Sequence, residues 1–291
     1  MKAMQTRITA VVLLGALALL AAPGRSAPPN LDFGKAFNAG KNLVKAAKPM
    51  DFEEEHALGR QVAARIAGNF GIWNNRDWTL YINLVGRALA PYNERSDIKY
   101  RFAILNVDDI NAYSAPAGFI FITKGMLKQL NSEAQLAGVL GHEIAHVAKK
   151  HIVKEVQKSN IYSAGAVAAA TAANADDQSI EALNKLTDLS WDLLINKGFS
   201  KQDEYDADQS GAKDAFRMGY NPLGLREFLV TLEEREKNQD AKMKTLLSTH
   251  PAPEKRLDQL DQFIADKGWK PETRQDNRER FQDFKKRHPI P

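Results

Sequence analysis

The apolar run from Leu136 to Val147 constrains this chain most, because it carries a metal-binding pattern in its middle. It contains G-H-E-I-A-H, which sets His142, Glu143 and His146 at H-E-x-x-H spacing. On a helix, side chains four residues apart lie on one face, so both imidazoles can point at a single position. The apolar residues recur at the spacing of a helix that faces a core. The run therefore predicts a buried helix with a metal site.

Zinc is the metal that this set of side chains favours. It takes neutral imidazole ligands in a tetrahedral shell, and catalytic sites use three protein ligands and leave the fourth position to water. Glu143 flanks the histidines as the expected general base for that zinc-bound water. The alternative is a buried helix with two hydrogen-bonded histidines. Ser132 and Gln135 argue against a chance occurrence of the H-E-x-x-H pattern, because they form a capping box where the motif requires a helix to begin.

A second helix is expected to supply the third ligand. Ser200 and Asp203 form another capping box, and the helix after it carries Glu204 and Asp208, one turn apart on one face. We predict that Glu204 binds the metal. Asp208 then lies where it could accept the free ring N–H of a ligand histidine. Without the upstream motif, the pair would indicate only a solvated acidic face.

Two other histidines are weaker candidates. His151 follows His146 by five residues, which on a continuous helix rotates it off the ligand face. It is expected at the surface or behind the ligands. His56 follows three glutamates and is a weak candidate for a second metal site, since acidic first turns of helices are common.

The N-terminal 27 residues have the pattern of a signal peptide. Lys2 and Arg7 precede an uncharged apolar run over residues 8–22, and P-G-R-S-A follows, so cleavage is expected within 24–27. An uncleaved anchor is the alternative, although the run is short for a bilayer span. The chain has no cysteine, which excludes a lipid-attachment cysteine and disulfides. The pattern predicts a periplasmic protein that is not a lipoprotein.

The rest of the chain is predicted to form one domain with a short extension at each end. Residues 28–50 form a lead-in, 51–266 the main domain, and 267–291 a basic tail with three aromatic residues. The tail either contacts a membrane surface without being integral to it, or forms a helix that packs by its aromatics. The net charge of +4 comes mostly from the leader. No nucleic-acid motif, phosphate-binding glycine loop or tandem repeat is present.

The convincing strands directly precede the motif helix. Residues 100–105, 112–114 and 119–123 are rich in β-forming residues, with a turn at 115–118. An exposed strand edge could bind an extended peptide by its backbone, or the edge could be covered. Helices are expected at 78–89 and 180–195, and the alanine-rich stretch 163–175 either covers the site or packs. The fold class is α+β, mostly α.

Several motifs together resemble a known family. H-E-I-A-H, G-F-S-K-Q-D-E-Y-D-A-D, F-R-M-G-Y-N-P and S-T-H-P-A-P-E-K-R-L resemble the zinc metallopeptidase family of the CAAX prenyl endopeptidase and HtpX, and within it the exported soluble bacterial members. The resemblance implies a gluzincin-like fold with a small β-sheet beside the motif helix. It implies one Zn²⁺ per chain on His142, His146 and Glu204, with Glu143 as base. Asp208 would support a ligand or donate a proton, and His250 would lie near the substrate and stabilise the oxyanion.

The expected function is that of a zinc endopeptidase that hydrolyses peptide bonds of unfolded or misassembled envelope proteins. Its partners would be polypeptide substrates, including outer-membrane or periplasmic proteins, in protein quality control. Prenylated substrates and docking through tetratricopeptide repeats are not expected, because neither membrane spans nor such repeats are found. One alternative is a periplasmic chaperone-like binding protein with a latent or gated site. The other is a structural zinc site, which needs His250 or His151 as a fourth ligand.

Overall fold

A computed structural model describes residues 49–159, 162, 165–170, 172, 175–238, 240–250 and 253–291. The predicted signal peptide and almost all of the lead-in lie outside this part. The described residues belong to one compact unit. None of their helices is both long enough and apolar enough to cross a membrane.

The fold is mostly helical with one small sheet, as predicted. The strands are β1 (Arg101–Leu105), β2 (Ala112–Ala115) and β3 (Phe119–Thr123). The helices are α1 (Phe52–Phe70), α2 (Arg76–Leu89), α3 (Lys124–Gln129), α4 (Glu133–Ala148), α5 (His151–Lys158), α6 (Ala166–Ala170), α7 (Asp177–Asp192), α8 (Lys201–Met218), α9 (Gly224–Lys237), α10 (Lys244–Thr249), α11 (Pro253–Asp266) and α12 (Arg278–Arg287). The short α6 falls in the alanine-rich stretch, where Val167 is buried.

The sheet has the strand order β1-β3-β2, with β3 parallel to β1 and antiparallel to β2. Successive strand residues point to opposite faces. Phe102 and Ile104 face one apolar cluster together with Ala112, whereas Tyr113 and Phe121 face the other. Apolar side chains therefore cover both faces, which explains why the strands do not alternate between apolar and polar residues.

Both edges of the sheet are covered. β1 is bridged by the chain at residues 71–73, where the Trp73 N–H donates to the Ile104 carbonyl at 2.8 Å. β2 is the outer strand on the side of α4, and none of its residues is more than 3% exposed. Of the two possibilities left open by the sequence, the structure has the covered edge. An extended peptide can pair with β2 only after the covering residues move.

Helix α4 carries the H-E-x-x-H motif and lies at the centre of the domain. Ser132 caps it by accepting the Gln135 N–H at 3.2 Å, and the Gln135 side chain accepts the N–H of Asn131 at 2.8 Å. All of its residues from Glu133 to Val147 are buried. A helix buried on every side needs partners all round, and the two apolar clusters with α8 and α9 provide them.

Helix α12 packs against the first turn of α4. Phe281 is fully buried beside Trp78 and Tyr81 of α2. The buried Glu133 carboxylate accepts hydrogen bonds from Tyr81, Tyr220, Asn277 and Arg280. The basic segment 267–291 is thus joined to the base of the motif helix, with its aromatic residues turned inward.

Helices α4 and α8 cross at two glycines. A Cβ on Gly211 would lie 2.7 Å from the His142 nitrogen, and one on Gly141 would lie 3.1 Å from the Gly211 Cα. Only glycine permits backbones to approach this closely. The crossing places Glu204 and Asp208 of α8 opposite His142 and His146 of α4.

Candidate metal centre and catalytic site

Three of the residues predicted from the sequence to bind the metal converge on one point. The Nε2 atoms of His142 and His146 are 2.9 Å apart. Carboxylate oxygens of Glu204 lie 3.6 Å from the first and 3.4 Å from the second. Ligands about 2.0–2.2 Å from a tetrahedral ion are about 3.3–3.6 Å from each other, and both Glu204 distances match this spacing, whereas the two histidine nitrogens lie closer together than a bound ion would hold them. The His142, His146 and Glu204 cluster therefore fits a zinc site.

Asp208 fixes the tautomer of His142. Its Oδ1 lies 2.8 Å from the His142 Nδ1. Burial alone would raise the pKa of Asp208, but Arg256 and His142 outweigh it and lower the pKa below its ordinary value. An ionised carboxylate can only accept, so the Nδ1 carries the proton and the Nε2 keeps a free lone pair toward the metal position.

His151 lies behind the second histidine and is buried. Its Nδ1 is 2.8 Å from the His146 Nδ1, and its Nε2 faces an Asp203 carboxylate oxygen at 3.4 Å. Burial and the neighbouring His146 lower the pKa of His151 to about 3, so it is neutral. A neutral His151 can accept the His146 N–H, which leaves the His146 Nε2 free for a metal.

Two segments close over the histidines. The Phe199 ring stacks on the His146 imidazole at 4.2 Å between centroids. Its backbone N–H donates to the Thr249 carbonyl at 3.3 Å, next to His250. At Gly198 the backbone has φ 70°, and a Cβ there would lie 2.2 Å from the same carbonyl. Glycine is therefore required for this contact between the two segments.

His250 is the fourth member of the cluster. Its Nδ1 is 2.9 Å from a Glu204 oxygen, and the four potential ligand atoms lie within 4.8 Å of one another. Burial alone would lower the pKa of His250, but the Glu204 carboxylate and the nearby Glu143 raise it overall. His250 is thus placed to hydrogen-bond Glu204 or to contact a group bound at the metal position.

Arg256 is the important residue that sequence reasoning did not single out. It donates to both Asp208 oxygens, at 2.6 and 2.8 Å, and its Nη1 is 3.2 Å from a Glu204 oxygen. Burial alone would raise the pKa of Glu204, yet His250, Arg256 and His146 together hold it well below its ordinary value. The signal was present, since Arg256 ends the H-P-x-x-x-x-R pattern that contains His250.

Glu143 lies beside the cluster rather than within it. It is 3% exposed and lines a cavity of about 30 Å³ together with His142, His250 and Arg256. His56 is absent from the one potential metal-binding cluster found among the described residues, and instead stacks on Phe52 and contacts the Phe119 ring at a tilt. The structure thus assembles His142, His146, Glu204 and His250 and leaves His56 apart.

The fold and this site define the class of protein. Two histidines one helical turn apart, a glutamate from a second helix and a free glutamate beside them are the donor set of catalytic zinc in metallopeptidases. The chain belongs to peptidase family M48, whose family model matches residues 79–264. Members of this family are in general zinc-dependent.

Curated proteins with similar sequences are named as proteases or metalloproteases. The chain is 28% identical over 219 residues to the beta-barrel assembly-enhancing protease of Escherichia coli O157:H7, covering 74% of this chain and 44% of that protein. It is 24% identical over 235 residues to metalloprotease YcaL of E. coli K12, covering 81% of this chain and 89% of YcaL. To metalloprotease LoiP of the same strain it is 25% identical over 193 residues, covering 66% and 73%. The chain thus spans less than half the length of the assembly-enhancing proteases that it matches.

Proposed function

We propose that the chain is a zinc-dependent endopeptidase of unfolded or misassembled envelope proteins, in which Glu143 is the general base. The observation that carries the proposal is the convergence of His142, His146 and Glu204 beside a buried Glu143. Each histidine has a partner for its Nδ1, which leaves both Nε2 atoms for the metal. The name of the assembly-enhancing relatives supports the substrate class.

The three ligands would hold one zinc ion, with Glu204 as the only anionic ligand. When bound, zinc supplies Lewis acidity that lowers the pKa of a coordinated water and polarises the peptide carbonyl. His151, Asp208 and Arg256 keep the ligands in place. They do so by fixing the histidine tautomers and the position of Glu204.

Glu143 moves the proton. It takes one proton from the attacking water as the oxygen bonds to the peptide carbon, and it delivers that proton to the nitrogen as the carbon–nitrogen bond breaks. The proton that water loses is thus the one that the leaving amine gains, and the amine nitrogen keeps the electron pair of the broken bond. His250, whose Nδ1 lies 2.9 Å from a Glu204 oxygen, would hydrogen-bond the oxyanion. Asp208 acts through His142 rather than on the substrate.

A gated site is the second candidate function that the geometry favours. Glu143 is nearly inaccessible, β2 is buried, and the contact between Phe199 and Thr249 closes the approach over His146. In this reading the protein binds unfolded chains and cuts them only after these segments separate. A structural zinc site is less favoured, although His250 lies close enough to be a fourth ligand, because M48 relatives are named as proteases.

The test is digestion of casein by the purified, zinc-loaded protein beside two glutamate variants. Glu143→Gln should keep its zinc, measured by atomic absorption, and lose cleavage by at least about 100-fold. Glu233→Gln, at a partly exposed position of α9, is the matched control and should cleave like the unmodified protein. Cleavage by Glu143→Gln would refute its role as base. A zinc-loaded protein that binds casein without cutting it would favour the gated binding protein.

Export to the periplasm is proposed from the leader pattern of residues 1–27. Fractionation of the producing bacterium, followed by N-terminal sequencing of the recovered protein, tests both the compartment and a cleavage site within 24–27. A cytoplasmic protein that keeps Met1 would refute the proposal.

A further inference from the structure

Helix α2 has two leucines on the side that faces away from the core. Leu84 is 62% exposed and Leu80 is 56% exposed, which makes them the two most exposed large apolar residues among those described. The core does not need them, because buried residues such as Trp78, Ile82 and Leu89 already fill the opposite side of α2. Single exposed apolar residues are common, but two of them one turn apart form a patch that calls for an explanation.

Two arginines flank these leucines on the same side of the helix. Arg76 precedes Leu80 by four residues and Arg87 follows Leu84 by three, so all four side chains share one face. Both arginines are exposed, and neither forms an ion pair among the described residues. We call Arg76, Leu80, Leu84 and Arg87 the α2 stripe. Leucines with basic residues beside them are typical of helices that lie at a membrane surface.

The end of α12 adds positive charge next to the α2 stripe. The His288 Nδ1 lies 3.1 Å from an Asp77 carboxylate oxygen, which joins the residue after α12 to the first turn of α2. Lys286 and Arg287, in the last turn of α12, are exposed. Together with the two arginines of the stripe, they outnumber the acidic residues of this region, Asp77 and the exposed Asp283, by four to two. The surface around the leucines is therefore net positive.

The size of the α2 stripe favours a lipid surface over a protein partner. Eleven helical steps span about 16 Å, and the stripe is one helix wide. Each partner of a stable protein complex buries roughly 800 Å², which is several times the area of such a stripe. A bilayer needs no matching groove, because apolar side chains insert between lipids while basic side chains reach the headgroup phosphates.

We propose that the α2 stripe, with the end of α12, is a peripheral docking site for a bilayer that contains anionic phospholipids. Leu80 and Leu84 enter the apolar boundary of the bilayer, and the four basic residues contact its headgroups. None of these residues belongs to the metal-binding cluster. The proposal therefore does not depend on the proposed function, and the two can fail separately.

A fluorophore at a single position tests the contact. The chain has no cysteine, so Leu84→Cys can carry one polarity-sensitive NBD group. Phosphatidylcholine vesicles with about 30% phosphatidylglycerol should raise its emission by at least about twofold, and vesicles of phosphatidylcholine alone should not. Ile180→Cys is the matched control, because Ile180 is an exposed apolar residue of α7 outside the stripe. The label reports only its own position, so a leader that remains attached to the chain does not imitate the signal.

Charge variants of the labelled protein test the anionic headgroups. Arg76→Gln with Arg87→Gln should raise the vesicle concentration at half-maximal emission by at least about tenfold, since each basic residue near an anionic surface strengthens binding. Arg60→Gln with Lys185→Gln removes the same charge from exposed positions on α1 and α7. This control should change that concentration by less than about threefold, because charges beyond a Debye length of the surface are screened.

Four results would overturn the inference. The first is unchanged emission at position 84 with anionic vesicles, and the second is an equal rise at positions 84 and 180. The third is an equal effect of the two charge variants, which would show adsorption by net charge alone. The fourth is a rise in emission with protein concentration when no vesicles are present, since a second copy of the chain would then cover the stripe.

Discussion

Replacing Gly211 by alanine adds one methyl group at the crossing of α4 and α8. Its Cβ would lie 2.7 Å from the His142 nitrogen and 2.9 Å from the Gly141 carbonyl carbon, whereas ordinary contacts begin at 3.4 Å. Both neighbours are backbone atoms of the motif helix, so no side chain can rotate to make room. The helices must separate by at least about 0.7 Å to reach ordinary contact.

That displacement acts directly on the metal centre. Glu204 and His142 lie on opposite sides of the crossing, and ligand distances in metal sites tolerate only about 0.2 Å. We expect the zinc affinity to fall by about 10–100-fold, as when ligand positioning is disturbed. Overpacking should also lower the free energy of unfolding by about 1–2 kcal/mol, because the better helix propensity of alanine offsets part of the clash.

Competition with a chromophoric chelator measures the zinc affinity, and urea unfolding measures the stability. Gly68→Ala is the matched control, because nothing lies within 4 Å of its Cβ and it is exposed on α1. It should leave the zinc affinity unchanged and raise stability by about 0.5–1 kcal/mol. If Gly211→Ala behaves like this control, the two helices do not cross as closely as described.

Two further changes test the charges around the site. Arg256→Met leaves the buried Asp208 and Glu204 carboxylates with only their histidine partners and should lower the free energy of unfolding of the metal-free protein by about 3–5 kcal/mol. Added zinc should restore part of it in urea unfolding, and an unchanged midpoint would contradict the pairing. Asp214 is 1% exposed with no hydrogen-bond partner for either oxygen among the described residues, and burial raises its pKa to about 6. The pKa of Asp214 in the unfolded chain is near 3.8, so the folded state takes up this proton more readily. The contribution of Asp214 to the free energy of unfolding should therefore rise as the pH falls from about 6 toward 4. Asp214→Asn should therefore stabilise by up to about 2 kcal/mol at pH 7 and progressively less below pH 6, whereas parallel pH profiles would refute the assignment.

The local elements were predictable because their signals are local. The spacing of four between His142 and His146 predicts a shared helical face, and the structure has both on α4. The predicted strands at 112–114 and 119–123 match β2 and β3 within one residue. The helix expected at 180–195 begins three residues earlier, since Asp176 caps it. Helix caps and apolar periodicity depend on residues that are close together in the chain, so both can be recognised in the sequence.

Contacts between distant segments were not predictable in the same way. His151 lies behind His146, one of the two positions expected for it, but the route there is not helical spacing, because Lys150 adopts φ 56° and ends the helix before it. Arg256 lies 48 residues from the carboxylate that it binds. The burial of β2 likewise depends on segments far along the chain. The spacing of residues along a helix predicts neither the position of a residue after the helix ends nor contacts between segments far apart in the chain.

The packing of α12 has a consequence for when the protein becomes active. Glu133 begins the motif helix, and Arg280, which binds its carboxylate, follows 147 positions later. A chain that is synthesised or exported from its N-terminus presents every proposed zinc ligand well before the residues that anchor the first turn of this helix. We therefore expect a partly emerged copy to lack a competent cutting centre. Such a delay would spare the other unfolded chains around it until this copy has folded.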